Sequence, residues 1–127
     1  MRRVALAMLL VVVACSTDAA TTVQAGRLAL TLTTAGTTDG AIVVLVSGGP
    51  VLSVSALAGY QLASNTDALG THIMIVGNVG SGVLATLQVP DVSRASAYVA
   101  TVEQVADRSS FGLLDPARDQ VTVGPTR

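Results

Sequence analysis

The 127-residue chain has seven basic residues, all of them arginine, against eight acidic ones, and half of its residues are hydrophobic. This nearly neutral composition excludes nucleic acid as a partner, because phosphate backbones are bound by clustered positive charge. One cysteine excludes a disulfide within the chain, and one histidine excludes a histidine-based metal cluster. We therefore expect neither a metal nor a cofactor.

The chain begins with a pattern that is typical of export. Arg2 and Arg3 precede an uninterrupted apolar run of eleven residues from Val4 to Ala14. Eleven helical residues reach only about 16 Å, roughly half of a bilayer core near 30 Å, so this run is too short to remain as a spanning anchor. We predict that residues 1–14 form a signal helix that is removed from the mature protein.

The end of the apolar run, Val12-Val13-Ala14-Cys15, resembles the lipobox of bacterial lipoproteins. In that family a branched aliphatic residue, a small or branched residue and Ala or Gly precede the lipid-bearing cysteine. The resemblance implies cleavage between Ala14 and Cys15, lipidation of Cys15, and residence at a bacterial membrane in the periplasm or on the cell surface. The alternatives are an ordinary signal peptidase that cuts after Val23-Gln24-Ala25, or a Cys15 that is only a buried hydrophobe.

Beyond the leader, the composition predicts a tether followed by one domain. Residues 15–26 are mostly small and polar without a period, which favours a flexible, lipidated N-terminal segment. Residues 27–124 are enough to bury a core without disulfides. Without Arg2 and Arg3, five arginines remain against eight acids, and this mildly acidic balance excludes electrostatic adhesion to anionic lipid. Membrane contact is therefore expected only through the N-terminal lipid.

Short apolar or alternating segments, separated by turns rich in Gly, Pro, Asp and Ser, predict an all-β domain of about eight strands. The segments are 27–33, 41–46, 51–56, 60–63, 72–76, 83–89, 97–105 and 120–123. Residues 97–108 also contain helix-forming Ala, Glu and Gln, but a strand is preferred because Thr and Val dominate and no cap precedes a helical period. Such a pattern indicates an antiparallel β-sandwich of the immunoglobulin-like kind.

Three segments in particular resemble the cohesin-like sandwiches of bacterial extracellular proteins. They are Asp-Gly-Ala-Ile-Val-Val at 39–44, Val-Leu-Ser-Val at 51–54, and Gly-Ser-Gly-Val-Leu-Ala-Thr-Leu-Gln-Val at 80–89. The last is similar to that family's glycine followed by an aliphatic strand with alternate hydrophobes. The resemblance implies a fold in which one flat sheet is available to a protein partner.

Catalytic chemistry is not expected from this sequence. His72 borders a core strand and is interpreted as a strand-end cap, because no nucleophile, base and orienting residue come together around it. The glycine-rich segment 77–82 lacks the Lys-Ser/Thr ending of a phosphate loop and leads into a strand. The acids are scattered through loops, and a calcium site between Asp67 and Asp91 is the alternative to solvated turn residues.

The positive prediction is a docking face. Segments 41–46 and 73–76 are apolar on both sides, and residues 83–84 add a third apolar pair, although a sandwich strand buries only one side. An exposed apolar patch would bind a cell-envelope protein or a second copy of the chain. The candidate residues are Val43, Val44, Leu45, Met74, Val76 and Leu84. The sequence does not decide which alternate residues point outward, and loop 107–119 could instead cover the patch.

Two further expectations concern the few aromatic residues. Phe111, with Leu113 and Leu114, is predicted to plug one end of the core. The alternative function is a glycan-binding module that uses Tyr60 or Tyr98 with loop acids, since sugars stack on exposed aromatic rings.

Overall fold

The computed structural model describes residues 23–126, which form two antiparallel sheets packed against each other as a β-sandwich. The predicted fold class is therefore confirmed. The predicted signal helix, Val12, Val13, Ala14, Cys15 and most of the tether lie outside the described residues. Within residues 23–126, no helix is both long enough and apolar enough to cross a membrane.

Residues 23–126 contain nine strands, where about eight were predicted, joined by turns and two short 3-10 helices. The strands are β1 (Gly26–Thr34), β2 (Asp39–Ser47), β3 (Ser53–Ala56), β4 (Gln61–Thr66), β5 (Thr71–Val76), β6 (Gly82–Val89), β7 (Val99–Asp107), β8 (Leu113–Leu114) and β9 (Asp119–Pro125). The 3-10 helices span Val92–Ala97 and Pro116–Arg118.

The strands are divided between a four-stranded sheet, in the order β3-β6-β1-β9, and a five-stranded sheet, in the order β4-β5-β2-β7-β8. Every pairing is antiparallel. The first strand, β1, thus lies between two strands from much later in the chain. In the five-stranded sheet the two most apolar strands, β2 and β5, are neighbours, and β7 flanks β2 on its other side.

The core lies between the sheets and follows the period of two that the sequence predicts. Leu28, Leu30 and Leu32 of β1 face inward, as do Ile42 and the alternate residues of β2 that follow it. Such fully buried aliphatic side chains each stabilise the fold by about 1.5–3 kcal/mol. This inner layer is made almost entirely of Leu, Ile and Val, so each sheet has one face fixed against the other.

Most of the segment with ambiguous composition, 97–108, is a strand as predicted, because β7 (Val99–Asp107) pairs with β2 along nearly its whole length. The strand begins two residues later than predicted, since Ala97 ends the first 3-10 helix. Two loop predictions are wrong. Residues 64–71, which separate the predicted strands 60–63 and 72–76 and were expected to form a polar loop, belong in part to β4, which continues through Thr66 against Thr71 and leaves only a turn at 67–70. Loop 107–119 contains β8, whose Leu113 and Leu114 pair with β7.

The predicted hydrophobic plug is also wrong for two of its three residues. Leu114 packs against the core, but Leu113 is 73% exposed and Phe111 is 82% exposed. The reason is that β8 extends the five-stranded sheet sideways, beside β7, and does not cross over either sheet. The loop therefore adds apolar surface to the molecule and does not bury the surface already there.

Candidate partner-binding face

The candidate site is the outer surface of the five-stranded sheet, called here the partner face. Side chains directly opposite each other in antiparallel strands point to the same side, so the register fixes its rows. The rows run Gln61, Val76, Ala41, Ala106 and Leu113; then Ala63, Met74, Val43 and Gln104; then Asn65, His72, Leu45 and Thr101. Val99 of β7 extends the same side next to Ser47.

The partner face is apolar where a solvated sheet would be polar. Met74 is 45% exposed and Val76 41% exposed, while Val43 and Leu45 beside them are half-buried. The outer surface of the four-stranded sheet is different, with Ala29 and Val83 as its apolar exceptions. Its other outward side chains include Arg27, Thr31, Thr33, Ser53, Ser55, Thr86, Gln88, Gln120 and Thr122. Ten large hydrophobic residues are exposed in the described part of the chain, and five of them, Met74, Val76, Val99, Phe111 and Leu113, lie on the partner face or in the loop at its end. Leu52 and Leu57 are also exposed and flank β3 of the other sheet, where their backbone N–H groups bond to β6.

Two of the six predicted face residues do not belong to this surface. Val44 is fully buried, because it alternates with Val43 and points into the core. Leu84 is also fully buried and lies in β6 of the other sheet. The prediction that residues 83–84 extend the apolar patch of β2 and β5 is therefore wrong. The structure places the other four, Val43, Leu45, Met74 and Val76, on the partner face.

A loop adds an exposed aromatic ring at one end of the partner face. Phe111 has a φ of 59°, the only positive φ among the non-glycine residues described, and a bulky side chain in that conformation costs of order 1–3 kcal/mol. Asp107 holds the loop, because its Oδ1 accepts hydrogen bonds from the backbone N and the hydroxyl of both Ser109 and Ser110 at 2.9–3.2 Å. These hydrogen bonds keep the pKa of Asp107 well below its ordinary value, and the bond from the Ser110 backbone N–H contributes most.

Beside Phe111 the partner face has a hollow of about 420 Å³. Its lining is mainly apolar and includes Ala41, Val76 and Ala106, with Arg108 at the edge. Arg108 is fixed there because its guanidinium donates to Asn78 Oδ1 at 2.7 Å and to the Thr37 carbonyl at 3.0 Å. The hollow is thus preformed and large enough for a side chain of a bound protein.

At the other end, the partner face carries one charged cluster. His72 is the second residue of β5 and faces outward, where its Nε2 lies 2.8 Å from Asp67 Oδ2 and its Nδ1 lies 3.1 Å from Glu103 Oε1. Glu103 reaches this side at an irregularity in the register of β7 with β2. A neutral ring donates from one nitrogen only, so the protonated ring suits both carboxylates. The hydrogen bond to Asp67, then that to Glu103, raises the pKa of His72.

We expect the thermal stability of the domain to fall as the pH rises through the pKa of His72. A group whose pKa is raised by folding stabilises the folded state below its unfolded pKa, 6.5 for His72, and this contribution is lost as the pH passes the folded pKa. The pKa of Asp67 is lowered by folding, and its effect on stability appears only as the pH falls below the ordinary value of 3.8, outside the pH range in which His72 titrates. Melting curves from about pH 5.5 to 8.5 should therefore show a decline that His72→Gln lacks. Equal slopes in both proteins would contradict the assignment.

The residues of the alternative hypotheses have other roles. Tyr98 is buried and its hydroxyl donates to the Pro50 carbonyl at 2.7 Å, so its ring is not available to a sugar. Tyr60 is half-buried, packs on the core and bonds to the Asn78 carbonyl. Asp67 and Asp91 have separate partners, since Asp91 caps the first 3-10 helix. Among residues 23–126, no three His, Cys, Asp or Glu side chains could hold a metal ion together.

In comparisons with known proteins, no protein family, no curated protein and no solved structure matched this chain.

Proposed function

We propose that this chain is a lipid-anchored, non-catalytic module of the bacterial cell envelope, and that the partner face docks onto another protein outside the cytoplasm. The observation that supports the proposal is that five of the ten exposed large hydrophobic residues in the described part of the chain lie on the partner face or in the loop at its end, while the outward residues paired across the other sheet are mostly polar. Monomeric proteins rarely leave a contiguous apolar patch of this kind bare, and such patches mark interaction sites.

Anchoring rests on the leader and on the spacing between Cys15 and the domain. The ten residues between Cys15 and Gly26, where β1 begins, allow a separation of at most roughly 40 Å when extended. A lipid on Cys15 would therefore hold the sandwich within a few tens of ångströms of the membrane. A protein partner in the same compartment would meet the partner face without the module leaving the surface.

The chemistry of the partner follows from the partner face. Its charged groups lie at its two ends: His72 is paired with Asp67 and Glu103 at one end, and Arg108 is held by Asn78 and Thr37 at the edge of the hollow at the other. A matching surface would be apolar opposite Val43 and Met74, with one side chain that enters the hollow. Phe111 is suited to insert into a pocket of the partner, because exposed aromatic rings commonly supply much of the binding energy in protein interfaces.

Site-specific photocrosslinking in the native cell tests this function. A photoreactive amino acid replaces Phe111, whose side chain makes few contacts in the domain, and as a matched control it replaces Gln88 on the outside of the four-stranded sheet. We expect a discrete adduct from position 111 and none from position 88. An adduct of twice the mass of the protein would identify the partner as a second copy, and any other mass a different protein.

Two results would overturn the proposal. The first is no adduct from position 111 in cells that contain the folded protein. The second is an equal crosslinking yield at positions 111 and 88, since this would indicate non-specific crosslinking to any nearby protein.

A further inference from the structure

A groove of about 420 Å³ runs along one side of the sandwich, where β7 of the five-stranded sheet passes β9 of the four-stranded sheet. It lies at the edges of the sheets and is separate from the hollow beside Phe111 on the partner face. Its lining comes from both strands and from the second 3-10 helix: Ala100, Thr101, Val102, Pro116, Ala117, Asp119, Gln120, Val121 and Thr122.

Within the described part of the chain, both strands that line the groove have an edge without a neighbouring strand. β9 ends the four-stranded sheet and pairs only with β1. β7 has β2 on one side along its length, but on the other side β8 pairs only with Val105 and Ala106. The stretch 99–104 therefore has a strand on one side only. Unpaired strand edges present N–H and C=O groups to which an extended segment of another chain can bond.

Asp119, one of the residues that line the groove, has a buried carboxylate. The residue is only 6% exposed, and among residues 23–126 neither of its carboxylate oxygens has a hydrogen-bond partner. The neighbouring buried acid is different, because Asp39 Oδ1 lies 3.1 Å from Arg118 and its Oδ2 accepts a hydrogen bond from Thr34 at 3.2 Å. A carboxylate removed from water is unfavourable unless a cation or hydrogen-bond donors compensate it. Asp119 therefore marks a place where a positive group from outside would be stabilised.

From these two features we infer that the groove binds an extended polypeptide segment as an added strand, with one Arg or Lys side chain paired to Asp119. The shape fits a peptide: four consecutive residues of β9 line the groove, which at about 3.3 Å per residue gives a length of roughly 13 Å. A bound metal ion would need more ligands, and in the described part of the chain Asp119 belongs to no group of acids, histidines or cysteines that could supply them.

A random peptide library displayed on phage and selected on the full-length protein tests the inference. The enriched peptides are expected to combine a basic residue with β-branched neighbours on either side. Asp119→Asn keeps the shape of the side chain and removes its charge, so it should weaken binding of a selected peptide at least about tenfold. Asp91→Asn is the matched control, because Asp91 is a carboxylate at the first 3-10 helix and Asn caps helices equally well.

Two further measurements separate binding from folding. Bound peptide should slow hydrogen exchange at the backbone amides of 100–102 and 120–122, the residues that line the groove. Asp119→Asn should melt no lower than the natural protein, because it removes an uncompensated buried charge. The inference is overturned if the library yields no binder, if the binders lack a basic residue or bind Asp119→Asn equally well, if the protected amides lie elsewhere, or if Asp119→Asn melts lower.

Discussion

Val44→Asp should unfold the domain, whereas Val43→Asp should leave it folded and abolish its association with a partner. Val44 is fully buried, so the change removes about 1.5–3 kcal/mol of apolar burial and adds an unpaired charge whose desolvation costs on the order of several kcal/mol. A domain of this size has only about 5–15 kcal/mol of total stability. Val43 is half-buried on the partner face, where the new carboxylate stays in contact with water and should cost at most about 1 kcal/mol.

Thr31→Asp is the control for the partner face, because Thr31 lies on the outside of the central strand β1 in the other sheet. Circular dichroism melts report folding, and the crosslinking yield at position 111 reports association. We expect loss of association in Val43→Asp and none in Thr31→Asp. The partner face is not the interaction site if Val43→Asp associates normally. The same conclusion follows if Thr31→Asp loses association to the same extent as Val43→Asp.

Cys15→Ala should transfer the protein from the membrane fraction to an unprocessed or released soluble form. Alanine has no thiol to accept a lipid, and stable membrane residence requires more than one acyl chain, since a single chain binds only marginally. The sandwich itself should be unchanged, because β1 begins eleven residues after Cys15. Fractionation with and without detergent measures the transfer.

Intact-mass measurement of the natural protein provides the decisive comparison for the lipid. The expected mature chain begins at Cys15 and carries the mass of its acyl groups. A mature N terminus at Gly26, without acyl mass, would instead indicate an ordinary signal peptidase and end the lipoprotein hypothesis.

Much of the fold was predictable because its signals are local. The period of two in β1 and the β-branched run in β2 mark strands with an inward side, and Gly, Pro and Asp mark the turns between them. The sequence does not predict which side of β2 faces the core, because Val43 and Val44 are equally apolar and only the packing of the two sheets decides which of them is buried. For the same reason, Leu84 was placed on the partner face although it lies in the core of the other sheet.

The features that required the structure arise from contacts between distant parts of the chain. Phe111 stands between two serines and a glycine, a polar turn, and this was the available signal that it would be exposed and not a plug. His72 meets Glu103 from 31 residues away at an irregularity of β7 that no local pattern indicates. Asp119 is the first residue of the alternating strand β9, so its burial depends on which side of that strand faces inward.

The position of β1 has a consequence for when the domain can fold. β1 lies between β6 and β9, so the strand synthesised first obtains its second neighbour only when the last strand exists, with Leu28 opposite Pro125. Sheets built from such distant segments form slowly, because closing a long loop costs conformational entropy before the stabilising contacts between the strands can form. A chain emerging from the ribosome therefore cannot complete its four-stranded sheet. For a protein proposed to be exported, this strand order means that the four-stranded sheet is completed only after β9 has followed the rest of the domain.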